Sequence, residues 1–266
     1  MERIESIDDP RVAAYRDLKA RTARGEAIFV TEGRTLTIRL LQSPYAVESV
    51  LVAERFADLF APLVEGRSPL YVADERLLSE LVGFRFHLGV LGCGRRGRPM
   101  TLEEMMTACG GLMDKLTLIV CPRIADRENL GAIFRLAGAF GVGGVILGAG
   151  CCDPFSRRCL RVSMGAVLGV RLFQSPDLRA DLALLKDRWG VELWATVVDD
   201  QAVPLSRLRR PARLALLLGN EWQGLESQWV LLCHQRVTIP MGSGADSLNV
   251  AVAAGIFLYE LTKATS

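Results

Sequence analysis

The stretch Ile239-Pro-Met241-Gly-Ser-Gly-Ala-Asp-Ser247-Leu-Asn249-Val-Ala-Val-Ala-Ala-Gly255 decides the fold. Val237 to Ile239 reads as a short strand, which the proline and glycines end. A helix of small residues then runs from Leu248 to Leu261. The loop between them has a backbone able to enclose an apolar, planar group. Ala251, Ala253, Ala254 and Gly255 admit very close approach by another helix or chain. With no ligand, the same residues read as a plain loop with Ser247 as N-cap of a core helix, and the two roles are compatible.

Two further clusters lie upstream at the ends of predicted strands, where open α/β sheets place their ligands. Leu218-Gly219-Asn220-Glu221-Trp222-Gln223-Gly224-Leu225 comes straight off the apolar strand Leu214 to Leu218. Its glycine allows backbone to approach a ligand, and its carboxylate can hold a cation or a hydroxyl, although an ordinary strand-to-helix turn also uses Gly and Asn. Asn129-Leu-Gly131-Ala-Ile-Phe-Arg135 follows the strand Leu116 to Cys121 and opens a helix to Phe140. Asn129 suits an N-cap. Arg135 sits among Ile133, Phe134, Leu136 and Ala137, where a charge without a partner is costly.

Working outward, strands at Val145 to Leu147, Val170 to Phe173 and Leu193 to Val198 alternate with helices at Pro154 to Val162 and Leu178 to Trp189. This is a mostly parallel sheet covered on both faces. The first part also alternates: a helix at Val12 to Arg21, a strand at Ile28 to Val30, a helix at Gly33 to Leu41, then strands at Val47 to Val52, Leu70 to Val72 and Leu88 to Leu91. Between the two parts, Arg95 to Pro99 is a basic Gly/Pro stretch, and Thr101 to Glu104 matches a capping box. The expected organisation is an α/β domain over 1–98, a linker over 99–113 and a second domain over 114–266.

A chain of 266 residues, half of them hydrophobic, suffices for two modest domains. The charged first ten residues exclude a secretory signal, and no apolar run is long enough to span a bilayer, so a cytoplasmic protein is expected. The seven cysteines form no C-x-x-C pair with nearby histidines, which argues against zinc and against a disulfide framework. A net charge of +2 says little about nucleic acid. The arginines, however, cluster: Arg95, Arg96 and Arg98; Arg157, Arg158 and Arg161; Arg207, Arg209, Arg210 and Arg213. Guanidinium suits bidentate phosphate contacts, though each cluster also reads as a solvated face.

In this order and spacing, N-x-G-x-x-x-R, L-G-N-E-x-x-G-L and I-P-M-x(5)-S-L-N-V resemble the three signature motifs of the SpoU (TrmH-like) methyltransferases of the SPOUT superfamily. Arg161-Val-Ser163-Met-Gly165-Ala166 resembles a further stretch of that family. The resemblance spans about residues 114–266, and the first half looks, less specifically, like a ribosomal-protein-like RNA-binding domain. It implies a trefoil-knotted α/β domain, a homodimer, S-adenosyl-L-methionine as cofactor, no metal, and 2′-O-methylation of a ribose in ribosomal or transfer RNA. It also implies that Gly219, Ile239 and Leu248 contact the cofactor, with Thr196, Leu218, Asn220 and Met241 nearby, and that Asn129, Arg135, Glu221, Ser247 and Asn249 line the reaction centre. Arg95, Arg96, Arg98 and Arg161 are expected to touch RNA. Two positions depart from the family pattern: Trp222, where a small residue is usual, and Ala251, where Ser commonly follows the Asn-Val pair. Competing readings are a non-catalytic RNA-binding or ribosome-assembly protein that keeps the fold, and a dinucleotide-binding dehydrogenase suggested weakly by Gly148-Ala-Gly150, which lacks the third glycine.

Overall fold

The computed structural model describes residues 1–18, 27–111, 115–242 and 247–262. The end of the helix expected over 12–21, the end of the 99–113 linker and part of the 239–255 loop lie outside the described residues. The chain divides into two compact units, Met1–Arg98 with Asp153–Gly169, and Pro99–Cys152 with Val170–Ser266.

In the first unit β1 (Glu2–Arg3), β2 (Ile28–Glu32), α1 (Arg34–Leu41), β3 (Ala46–Ala53), α2 (Ala57–Val64), β4 (Leu70–Ala73), α3 (Glu75–Val82) and β5 (Val90–Arg95) form a mixed sheet of order β1-β4-β3-β5-β2. On β3, Leu51 and Ala53 join one apolar cluster while Val50 and Val52 join another, as strand alternation requires when both faces are buried. In place of the α-helix expected from Val12, a 3-10 helix spans Pro10–Tyr15, with Pro10 in its first turn and Asp9 capping Arg11 N–H. Its buried Tyr15 hydroxyl donates to Ser49 O at 2.9 Å.

Strand β5 runs past Leu91, the end expected from the glycines that follow. A side chain on Gly94 would stand 2.5 Å from the ring of Phe29, and one on Gly92 would stand 2.8 Å from Thr31 Oγ1. These glycines are packing positions inside the strand, across which neighbouring side chains lie.

The segment Asp153–Gly169, expected within the second domain, packs with the first unit. The reason is a set of specific contacts: Phe155 stacks among Phe29 and Tyr45, Asp153 pairs with Arg96 at 2.6 Å, and Arg157, on α6 (Arg157–Val162), pairs with Glu32.

The second unit holds α4 (Leu102–Ala108), β6 (Leu116–Cys121), α5 (Arg127–Ala139), β7 (Gly144–Leu147), β8 (Leu172–Gln174), α7 (Leu178–Asp187), β9 (Glu192–Thr196), β10 (Val203–Pro204), β11 (Arg213–Leu217), α8 (Ser227–Val230), β12 (Gln235–Thr238) and α9 (Val250–Thr262). The seven strands are parallel, in the order β10-β12-β9-β11-β6-β7-β8. Leu118, Val120, Ala215 and Leu217 face a core shared with α4 and α7, and the alternate residues Ile119 and Leu216 are buried on the other face. Helices α5 and α9 pack on each other. Gly148 and Gly150 lie against Pro122 and Arg123, and no helix begins directly after them, so they do not form a dinucleotide phosphate loop. Among the described residues no helix is long and apolar enough to cross a membrane.

The tightest of these packing positions yields a stability test. Gly94→Val should lower stability by about 1–3 kcal/mol through overpacking against Phe29. A denaturant melt with an unchanged midpoint would contradict that assignment.

Candidate active site

The carboxyl ends of β9, β11 and β12, together with the first turns of α5 and α9, surround a cavity of about 830 Å³. That volume lies within the range of small-molecule sites. Val197, Val198 and Asp199 leave β9; Gly219 to Leu225 leave β11; Thr238, Ile239 and Met241 end β12; and Ser247 to Val250 enter α9.

The turn after β11 is a closed unit. Leu218 is buried and extends the strand ladder by donating its N–H to Val120 O at 2.9 Å. Asn220 and Gly224 exchange two backbone hydrogen bonds, at 2.8 and 3.0 Å, and the Asn220 side-chain oxygen accepts from Trp222 N–H at 2.7 Å and Gln223 N–H at 3.2 Å. Gly224 has φ +67°, a left-handed conformation that favours glycine. A side chain on Gly219 would lie 2.6 Å from the backbone of Gly224 and Leu225. The group that approaches Gly219 most closely is therefore the protein's own turn, in keeping with the ordinary strand-to-helix reading of its Gly and Asn.

This turn places Glu221 opposite the start of α5. Asp126, not Asn129, caps α5, accepting from Glu128 N–H at 2.7 Å and Asn129 N–H at 2.9 Å. The Asn129 side chain is thereby left to bridge. Its amide nitrogen donates to Glu221 Oε1 at 3.1 Å, and its oxygen accepts from the Asn249 amide nitrogen at 2.8 Å. The Asn249 oxygen in turn accepts from Ala251 N–H at 2.9 Å and Val252 N–H at 3.3 Å, so Asn249, not Ser247, caps α9. A carboxylate accepts only, which orients both amides along the chain. Glu221 Oε1 also takes Asp126 N–H at 3.4 Å, while Oε2 is buried without a hydrogen-bond partner. A buried, unpartnered carboxylate oxygen costs free energy.

The structure thus brings Asn129, Glu221, Ser247 and Asn249 to one cavity with Thr196, Gly219, Asn220, Ile239, Met241 and Leu248. The Thr196 hydroxyl is committed to Leu217 O at 2.8 Å, and Leu218 lies beneath the lining. Arg135 is the exception. It stands exposed on α5 and does not line the cavity, so the expected burial among apolar neighbours is wrong: those neighbours turn inward around the helix while position 135 turns out. Among the arginines expected at RNA, Arg95 is exposed and paired with Glu48 at 2.6 Å, Arg98 and Arg161 are exposed, and Arg96 is half-buried against Asp153 and the Phe155 ring. Arg213 is buried, its Nε donating to Trp189 O at 2.8 Å.

Sequence reasoning missed Val198, Leu231 and the pair Arg236–Asp199, joined at 2.7 Å. Position just beyond a central strand could have flagged Val198 and Asp199. Nothing in the pattern marks Leu231, which follows the single-turn helix α8. None of the seven cysteines forms a disulfide, and burial pushes the Cys151 thiol up to about 11. Among the described residues no group of three or more His, Cys, Asp or Glu could hold a metal.

Comparison with known proteins gives concordant likenesses. The model of the SpoU rRNA Methylase family matches residues 116–259. A Mycobacterium tuberculosis protein described as an uncharacterized tRNA/rRNA methyltransferase is 34% identical over 265 residues, 96% of this chain and 90% of that protein. The 23S rRNA (guanosine(2553)-2'-O)-methyltransferase of Bacillus subtilis is 27% identical, over 98% of this chain and 99% of its own. The crystal structure of an AdoMet-bound rRNA methyltransferase from Sinorhizobium meliloti superposes with a TM-score of 0.81 at 26% identity, covering 97% of this chain and 96% of that one.

The amide chain makes a separable prediction. Asn249→Ala removes the cap of α9 and should cost about 1 kcal/mol in thermal unfolding. Asn249→Asp keeps the cap but cannot donate to Asn129, so it should retain stability while disturbing Glu221. Equal melting of the two variants would argue against the cap.

Proposed function

Because this chain belongs to the SpoU rRNA methylase family, we propose that it transfers a methyl group from S-adenosylmethionine to a ribose 2′-hydroxyl of structured RNA, ribosomal RNA in preference to transfer RNA. The observation that carries the reading is the buried, unpartnered Oε2 of Glu221, held by Asn129 on the wall of a cavity of about 830 Å³. The cavity fits the donor in size. Gly219, Ile239 and Leu248 offer backbone around a planar adenine, and Val197 and Phe257 add apolar lining.

S-adenosylmethionine supplies an electrophilic methyl sulfonium, so the protein's task is positioning and proton removal. Glu221 Oε2 accepts the ribose hydroxyl proton as attack proceeds, with Oε1 fixed by Asn129 and the Asp126 amide. Ser247 and Asn249 bound the same pocket and orient the sugar. Arg135 is not the base, since guanidinium does not deprotonate in proteins. Its role is to hold the target phosphate and lower the hydroxyl's pKa.

Arg135 lies outside this chain's own cavity, so it performs that role on a substrate presented from beyond the cavity wall. A homodimer supplies such an arrangement: Val252, Ile256 and Tyr259 form an exposed apolar stripe at helical spacing on α9, the helix packed against α5. We further propose that the 114–266 region carries the family's trefoil knot, that the unit of Met1–Arg98 with Asp153–Gly169 binds RNA through Arg95, Arg98 and Arg161, and that the protein is cytoplasmic.

The test is methyl transfer from labelled donor to RNA, with 2′-O-methylation mapped in cells with and without the protein. A non-catalytic assembly protein would give no calorimetric heat with millimolar S-adenosylmethionine. Glu221→Gln should slow transfer by about 10²–10⁴-fold, and Arg135→Ala should abolish it, both with donor affinity retained. Full activity in either variant refutes the assigned role. Replacing Arg95, Arg98 and Arg161 by Gln should flatten the salt dependence of RNA binding by up to about 0.9 in log–log slope for each phosphate that these arginines neutralise. An unchanged slope would remove those residues from the interface.

A further inference from the structure

Trp222 is 90% exposed, yet it is not on a loose loop. Its backbone N–H is fixed to the Asn220 side chain at 2.7 Å, inside a turn closed by the two Asn220–Gly224 bonds. It also lines the same cavity as Glu221, the residue before it. We propose that its indole is the platform on which the unpaired base of the target nucleotide stacks while that nucleotide's ribose meets Glu221. The inference rests on the methyltransferase reading and adds the group that holds the nucleotide's base.

The cavity has two chemistries. One part of its lining is polar, with Asn129, Glu221 and Asn249 linked by hydrogen bonds, whereas Trp222, the 84% exposed Leu231 and Val198 are exposed apolar side chains of the lining. A nucleoside has the same division, a polar sugar joined to a flat base with apolar faces. The 2′-hydroxyl and the base sit on adjacent ribose carbons, and consecutive Cα atoms are about 3.8 Å apart, so neighbouring residues suit the two groups. Stacking on an indole tolerates any base and needs no further hydrogen bond. A second copy of the chain is the weaker occupant. The apolar stripe of α9, at Val252, Ile256 and Tyr259, lies about 120° around the helix from the cavity-lining Val250, Ala253 and Phe257. Whatever covers Trp222 also crowds the cavity mouth, so it must leave with each turnover, as substrate does.

The chain has four tryptophans, of which Trp189 and Trp194 are buried and Trp229 is half-buried, so exposed-indole emission reports Trp222. A short single-stranded oligoribonucleotide should quench that emission in the wild type and not in Trp222→Phe, whereas S-adenosylmethionine alone should leave it unchanged. Trp222→Ala should raise KM for RNA by about tenfold or more. Its kcat should stay within about twofold, donor affinity and melting temperature should be unchanged, and Trp222→Phe should recover most of the loss. An unchanged KM in Trp222→Ala, quenching by the donor alone, or recovery of exposed-indole emission merely on dilution of the protein overturns the proposal. If the wild type methylates no RNA, the methyltransferase reading has failed; if it methylates and Trp222→Ala does so equally well, only the role of Trp222 has failed.

Discussion

A carboxylate cannot donate a hydrogen bond, and that constraint at Glu221 propagates through the site. Asn129 must turn its nitrogen toward Glu221, which leaves its oxygen toward Asn249. Asn249 must then donate to Asn129, and its own oxygen is free for the first N–H groups of α9. The positive end of that helix and the negative carboxylate thus terminate one polarised chain. Three segments far apart in sequence are set in register by it. The geometry needs no charge beyond the carboxylate, and it leaves one carboxylate oxygen without a partner on the cavity wall.

The chain works only because the turn that carries Glu221 is stiff. Gly219 is pressed against Gly224 and Leu225, and Asn220 spends its side-chain oxygen on the turn itself. Residues that in isolation suggest ligand contact therefore serve first to build the support. Preorganisation of this kind costs stability locally, through a buried unsatisfied oxygen and a left-handed glycine, and gains a fixed direction for the Glu221 carboxylate.

Most of the fold was legible because strands buried on both faces are near-continuous apolar runs, and β6, β7 and β11 are bounded by turn residues. The failures have local causes. At α5 a polar run, Asp126 to Asn129, offers several caps, and periodicity does not say that the earliest acceptor wins; the consequence, a free Asn129, is what creates the site. At α9 the helix starts two residues later than expected, which passes the cap from Ser247 to Asn249. In β5 the glycines read as breakers because the aromatic ring that lies over Gly94 comes from Phe29, far away in sequence. The grouping of Asp153–Gly169 with the first unit depends on Asp153, Phe155 and Arg157 finding partners before residue 99, and no local pattern encodes that. The three signature stretches were legible as a set, whereas the outward face of Arg135 was not, because a single charge on an apolar helix is compatible with either face.

That outward face gives the charge balance of the site its meaning. Among the described lining residues, Asp199 and Arg236 neutralise each other, which leaves Glu221 as the uncompensated charge. RNA brings phosphates, and a phosphate close to a lone carboxylate is repelled unless a cation stands between or beside them. The lining itself has no spare cation, so the cation has to come from outside it. In the proposed reading that cation is Arg135, which is exposed on a helix that packs against α9 and does not line the cavity. On the reading proposed above, carboxylate and guanidinium stay apart until the substrate brings its phosphate.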